Sequence, residues 1–246
     1  MNVRTLSIYT MFETLLQPMF KAYFGITGLL FIFLALTPRL PQFKTVTEIA
    51  YLFFLLYFVV GTASIIIDRV ERGSIELFLS KPFSRTDIIV ATLLGVIGLV
   101  SLFSIFLVLG LWFIWGLRVG VWSGSILSYI GSLIFGFGTL YCFVLLSGII
   151  IRNLAAIVFI WCGYVLFGSL ALELRSTMLY PNIESDMIKG ALDVLYYLLP
   201  QPFAIRTSFN SLFRGGSPSF LPVVTSCLTA SLALLAAIFV LERKDL

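Results

Sequence analysis

The chain has 246 residues, 60% of them hydrophobic and only 11% charged, with a mean hydropathy of +1.07. A soluble domain carries roughly 25% charged residues, so this composition excludes one and specifies a polytopic membrane protein. The net charge of +4 rests on 16 basic and 12 acidic residues that do not gather on one soluble face, which argues against a nucleic-acid partner. There is no histidine, and Cys142, Cys162 and Cys227 each lie inside an apolar run without C-x-x-C spacing. His-based triads, a disulfide framework and a zinc site are therefore not expected, and the cysteines read as small packing residues.

In chain order, residues 2–20 place Ile8, Phe12, Leu15, Leu16 and Met19 on one helical face and Ser7, Thr10, Glu13, Thr14 and Gln17 on the other. That is the pattern of an N-terminal helix lying in the membrane interface rather than of a signal peptide. It also fits an amphipathic start to the first span, and Pro18 predicts a kink between the two. The first span is expected over residues 22–36, short of the roughly 20 residues a crossing needs. A proline-bounded loop, 37–48, leads to the second span, 49–67. The third, 88–116, contains Gly95 and Gly98, where it is expected to tilt or break.

The fourth span, 125–151, carries Gly124, Ser128, Ser132 and Gly136 at every fourth position. Such a small-residue stripe lets another helix approach closely, either from the same subunit or from a second copy. Only Arg152-Asn153 separates it from the fifth span, 154–172, so the two are expected to be antiparallel neighbours. In the long segment 173–218, Ile188, Ala191, Leu192, Leu195, Leu198 and Leu199 recur at helical period between Asp186 and Pro200. An amphipathic helix is predicted there, with Tyr196 and Tyr197 suited to a membrane interface. The sixth span, 220–241, ends in a charged stop. The expected fold is all-α, a single membrane domain over residues 1–246 with six spans.

Between the second and third spans, residues 68–89 hold Asp68, Arg69, Glu71, Arg72, Glu76, Lys81, Arg85 and Asp87, whereas the apolar runs on either side hold no charge. Ser74 to Leu79 can form a short helix with Ile75, Phe78 and Leu79 on one face, entered through Gly73 and closed by Pro82. Ser84-x-x-Asp87 then has the form of a capping box at the start of the next span. The run Glu71-Arg72-Gly73-Ser74-Ile75-Glu76-Leu77, followed by Leu79-Ser80-Lys81-Pro82-Phe83-Ser84-Arg85, closely resembles the first cytoplasmic loop of ATP-binding-cassette permease subunits of the type-2 exporter class. The resemblance implies that residues 68–87 carry a cytoplasmic coupling helix docking a separate ATPase subunit. Glu71, Arg72, Gly73, Ile75, Glu76, Phe78, Leu79, Lys81, Pro82 and Arg85 are then the docking and coupling residues. It further implies two permease chains, identical or related, two ATPase copies carrying ATP and magnesium, and short helices after the fifth span that cap the pathway from the outer leaflet.

Basic residues orient the chain. With the N-terminus inside, Arg4, Lys21, Arg69, Arg72, Lys81, Arg85, Arg152, Arg243 and Lys244 are cytoplasmic, and Arg175, Lys189, Arg206 and Arg214 fall in the long outer loop, where they weigh less. Both termini are thus expected in the cytoplasm of a cell whose plasma membrane holds the protein. The expected span cores contain no Asp, Glu, Lys or Arg, so no internal ion-coupling group is evident, and no phosphate-binding Gly-x-x-x-x-Gly-Lys loop is present. The carboxylate pairs Glu71/Glu76 and Glu184/Asp186 lack an accompanying nucleophile or ligand set, so the chain is not expected to be an enzyme. An energised exporter subunit and a non-transporting scaffold that docks another soluble partner through 68–87 both fit this pattern. The many phenylalanines lean toward a hydrophobic cargo, although they are also ordinary lipid-facing material.

Overall fold

The computed structural model describes residues 3–37, 43–71, 85–120, 122, 124–213 and 219–243, with backbone only at 43, 44, 68–71, 85, 125 and 213. The described residues form ten α-helices: α1 (Val3–Leu16), α2 (Pro18–Leu36), α3 (Phe43–Glu71), α4 (Arg85–Val119), α5 (Ser128–Ile151), α6 (Leu154–Gly163), α7 (Ser169–Glu173), α8 (Asp186–Leu198), α9 (Pro202–Phe213) and α10 (Leu221–Arg243). A π turn, Tyr164–Gly168, joins α6 to α7, so that Leu154–Glu173 runs as one span. Six segments are long and apolar enough to cross a membrane: α2, Thr45–Ile67 of α3, Thr86–Val119 of α4, α5, Leu154–Glu173 and α10. By length and composition the chain is a multi-pass membrane protein.

Burial divides these spans into two layers. The windows in α3, α4 and α5 are 61%, 56% and 56% buried, whereas those of α2, Leu154–Glu173 and α10 are each 22% buried and form the periphery. An aromatic stack knits the centre: Phe54 on Phe58 at 4.4 Å, Phe58 on Phe137 at 5.6 Å, Tyr23 on Phe103 at 4.7 Å and Phe24 on Phe103 at 4.5 Å. Several of the phenylalanines are thus core material, packed ring to ring at stacked, tilted and edge-on angles.

Several boundaries differ from expectation. The first span starts at Pro18, not residue 22, because the chain breaks at Gln17 and Pro18 takes the first helical turn, where its missing N–H costs nothing. The second helix begins at Phe43, inside the expected loop. The third does not break at Gly95 or Gly98. A Cβ at Gly95 would lie 2.8 Å from the Ser7 carbonyl oxygen, and one at Gly98 3.3 Å from Met11 Sδ, so these glycines are the seat of α1. Helix α1 buries Leu6, Thr10 and Thr14 and exposes Ile8, Phe12 and Leu16.

The contacts along α4 climb together with residue number: Leu6 with Ile88 and Ala91, Thr10 with Gly95, Phe24 with Phe103, Phe31 with Phe106. Therefore α1 and α2 run parallel to α4. At the far end Arg118 donates to the carbonyls of Leu34 (3.3 Å), Thr37 (2.8 Å) and Ala35. A cation there satisfies orphan carbonyls at the C-terminus of α2 and complements its dipole. The turn after α5 is as tight as expected: Arg152 adopts the left-handed conformation at φ 52°, and Asn153 Oδ1 accepts from the Ala156 N–H at 3.1 Å. Trp161 Nε1 donates to Ser147 Oγ at 2.9 Å across the antiparallel pair.

Candidate functional site

The docking residues read from the loop fall largely outside the described structure. Glu71 is the last residue of α3 and Arg85 the first of α4, while Arg72, Gly73, Ile75, Glu76, Phe78, Leu79, Lys81 and Pro82 lie outside the described residues. The site the structure does build is at the opposite end, where α2, α4, Leu154–Glu173 and α9 end and α3, α5 and α10 begin.

There the segment between the fifth and sixth spans forms two helices where one was expected. Helices α8 and α9 make an open hairpin, its arms resting on α5, α7 and α10 rather than on each other, whose tip is Pro200-Gln201-Pro202. Four neighbours gauge how far the tip descends. Tyr51 Oη, six residues into the α3 window, donates to the Pro202 carbonyl at 2.8 Å. Tyr164 Oη, nine residues before the end of its span, donates to the Pro200 carbonyl at 2.6 Å. The Gln201 N–H donates to Ser226 Oγ, five residues into α10, at 3.2 Å, and Gly136, eight residues into α5, lies under Pro202. At 1.5 Å per residue the tip sits about 8–14 Å below the span ends.

A non-helical turn at that depth needs every backbone group satisfied by protein. The sequence meets this directly. The two prolines remove two N–H donors, tyrosine hydroxyls take up their carbonyls, Ser226 accepts from Gln201, and the Gln201 carbonyl accepts the Ile205 N–H at 3.0 Å. The Gln201 amide also donates to the Tyr196 carbonyl at 2.6 Å.

Helix α9 rises from the tip antiparallel to α5, burying Ala204, Ile205 and Ser208. Arg206 lies one turn above Pro202. Its guanidinium reaches Glu48 at 3.4 Å and stands 5.3 Å from the Tyr51 ring and 5.6 Å from that of Phe203. One turn higher still, Asn210 accepts from Ser128 Oγ at 2.8 Å and donates to Tyr129 Oη at 3.5 Å, and Thr47 Oγ1 donates to that same hydroxyl at 3.3 Å. Glu48 lies within the membrane-length window of α3, so the span set is not free of charge, and its cationic partner is delivered by the hairpin.

The small-residue stripe falls partly within this seam. Ser128 and Ser132 are buried, and a Cβ at Gly136 would meet the Tyr51 hydroxyl at 2.6 Å, so these positions admit α3 and α9. Gly124 lies outside it, in a 3-10 turn with open space around it.

The other arm, α8, is turned inside out relative to a soluble helix. Met187, Ile188, Val194, Leu195 and Leu198 are exposed, and Asp193, its own side chain half-exposed, accepts from Arg175 Nε at 2.8 Å. Arg175 also stacks 3.7 Å above the Tyr196 ring, and Tyr196 Oη donates to Glu173 at 3.3 Å. The hydroxyl of Tyr180 and the guanidinium of Arg175 hold the Asp193 carboxyl below its usual range. Burial, with the Glu173 charge behind it, pushes the Tyr196 phenol up to about 12.

Glu48, Tyr51, Tyr129, Tyr164, Arg206 and Asn210 were not singled out by the sequence reading. The one local signal is Arg206 and Asn210 four apart, which shares a helix face; the partners lie on other spans. Among the described residues no group of His, Cys, Asp and Glu is arranged to hold a metal ion. The chain matches no protein-family model, and no curated protein is significantly similar to it.

Proposed function

We propose that this chain is the membrane-spanning permease subunit of an ATP-binding-cassette exporter, working as a pair and driven by a separate cytoplasmic ATPase. The observation that supports this reading best is the helical hairpin α8–α9. It stands between the fifth and sixth spans, where the resembled family has short helices that cap the pathway, and it enters a bundle whose polar loop 68–87 is at the other end. In this reading the α8–α9 end faces outward, α1 lies toward the cytoplasmic interface against the start of α4, and both termini are inside. Residues 68–87 seat Ile75, Phe78 and Leu79 in a cleft of the ATPase, with Glu71, Arg72, Glu76 and Arg85 orienting the contact.

Burying each large apolar side chain stabilises such a contact by roughly 1.5–3 kcal/mol, against about 0–1 kcal/mol for an exposed ion pair. Phe78→Ala should therefore weaken ATPase association more than Arg85→Ala does. Co-purification with the ATPase, followed by hydrolysis and transport assays in membranes where both variants insert, decides the matter. A Phe78→Ala chain that binds the ATPase and transports like the parent removes this reading. A chain that captures a soluble partner lacking ATPase activity through the same loop establishes the scaffold instead.

A further inference from the structure

Helix α10 is bonded at its two ends to elements that lie at opposite ends of the bundle. In its last turn Glu242 Oε1 accepts from Thr86 Oγ1 at 3.2 Å, in the first turn of α4, where the loop 68–87 runs into the span. A carboxylate suits that place, because the N-terminus of a helix favours negative charge. In its second turn Ser226 Oγ accepts from the Gln201 N–H at the hairpin tip. Just ahead of the helix, the Ser219 carbonyl accepts from Ser208 Oγ of α9 at 2.7 Å. From Ser226 to Glu242 the helix runs uninterrupted over about 24 Å.

The flank of α10 is smooth. Its buried stripe is Ser226, Ala230, Ala233, Ala237 and Leu241, mostly side chains too short to interlock with α5. Helix α9 is keyed to the same partner, with Phe209 over Gly131 and Pro202 over Gly136, whereas Gly138, the α5 glycine beside α10, has open space around it. That space belongs to a cavity of about 350 Å³ lined by Leu93 and Ile97 of α4, Gly138 and Cys142 of α5, and Cys227 and Ser231 of α10. A continuous helix bonded at its ends and unkeyed along its flank shifts as one piece, by the 1–2 Å typical of packed helices (about 1–2 Å).

We infer that α10 is a tie rod that couples the loop end of the bundle to the α8–α9 hairpin, with Glu242 and Ser226 as the positioning residues at its two ends. A pull on the first turn of α4 is felt at the hairpin tip, and release of the tip is felt at α4, since such coupling is reciprocal. The rod would give the proposed coupling at 68–87 a route to the other end of the molecule. It is nevertheless a property of this chain alone, and its test uses no ATPase, so either reading can fail without the other.

Amide hydrogen exchange is followed by mass spectrometry on the full-length chain in lipid nanodiscs, at the first two turns of α4 and at the hairpin tip, residues 199–205. Ser226→Ala should raise exchange at the tip about fivefold, the ratio one ordinary hydrogen bond supplies. Glu242→Ala, at an exposed site, should raise it about threefold at the start of α4. Each should also raise exchange at the opposite end, by about twofold, and leave α2 unchanged. Gly138→Leu fills the space beside the rod, its new Cβ meeting no neighbour. Combined with either variant, it should keep the near-end increase and remove the far-end one. A far-end increase that survives Gly138→Leu is carried by another route and overturns the proposal. An increase confined to the near end, as two independent caps would give, overturns it too. So does one that extends to α2, as general loosening of the bundle would give.

Discussion

The two sides of this bundle are assembled by different physics. Where α1 and α2 lie along α4, the contact is mainly aromatic rings and glycine seats, with Thr10 donating back to its own helix at Leu6 and Arg118 closing the far end on carbonyls of α2. Where α8 and α9 enter between α3, α5, α6 and α10, the contact is a chain of named hydrogen bonds and one ion pair. The first depends on shape, and its energy falls steeply with any added volume because packed interiors have no slack. The second depends on polar atoms that can each be exchanged for water or for another partner. Close packing suits a fixed scaffold; discrete polar latches suit an element that has two positions.

The largest effect is therefore expected on the packed side. In Gly95→Leu the new side chain meets the Ser7 backbone, which cannot rotate away, and the thermal stability of the detergent-solubilised chain should fall by about 1–3 kcal/mol. Proteolytic release of residues 3–16 should accompany it. If the variant melts like the parent, α1 is not seated on α4.

Arg206→Ala tests the latch. It removes a side chain that packs on Tyr51 and Phe203 and leaves Glu48 unpaired at the mouth of the seam. Because Glu48 is 40% exposed, water screens the loss, and about 1–2 kcal/mol is expected rather than the 3–5 of a fully buried pair. Hydrogen exchange should rise over α9 and stay unchanged over α2 and α4. Adding Glu48→Gln should recover part of the loss, whereas a simple cavity at Arg206 would not respond.

Tyr51→Phe and Tyr164→Phe sharpen the contrast at single-bond resolution. Each leaves a tip carbonyl without its tyrosine partner, at about 1 kcal/mol apiece. Exchange measured at the tip should report both, and the double variant should lose more than either. Equal exchange in parent and variants means that the tip is held by α9 packing alone.

The sequence made the spans legible because six apolar runs are separated by charge and proline, and a bilayer permits little else. It made α8 legible too, since Ile188, Ala191, Leu195 and Leu198 keep helical period, but that apolar stripe is the exposed one, because the surroundings reverse the usual preference. Helix α9 was hidden for a related reason. Its buried positions are small or polar, Ala204 and Ser208 beside Ile205, so no apolar stripe advertises it. Gly95 and Gly98 read as weak points because a glycine's cost to its own helix is local, whereas its use, the arrival of α1, comes from residues far away in the chain. Glu48 and Arg206 stand 158 positions apart and share no motif. Only the descent of the hairpin brings them together.

The smallest expected effect lies at the base of α8 and concerns pH. Asp193 sits beside the Tyr180 hydroxyl and the Arg175 guanidinium, and both favour its ionised form, so its carboxyl titrates below the ordinary value of 3.8. A depressed carboxylate contributes stability that is fully present above the unfolded value and is lost as pH falls through the folded one. The α8 anchor should thus be insensitive to pH down to about 4 and loosen only below it. Carbon NMR of the Asp193 carboxyl in the solubilised chain gives the midpoint directly. It should lie below 3.8 in the parent and move back toward that value in both Tyr180→Phe and Arg175→Gln. A parent midpoint at or above 3.8 would mean that Arg175 spends its charge on Tyr196 and the Leu172 carbonyl instead, and that α8 is held by stacking rather than by an ion pair.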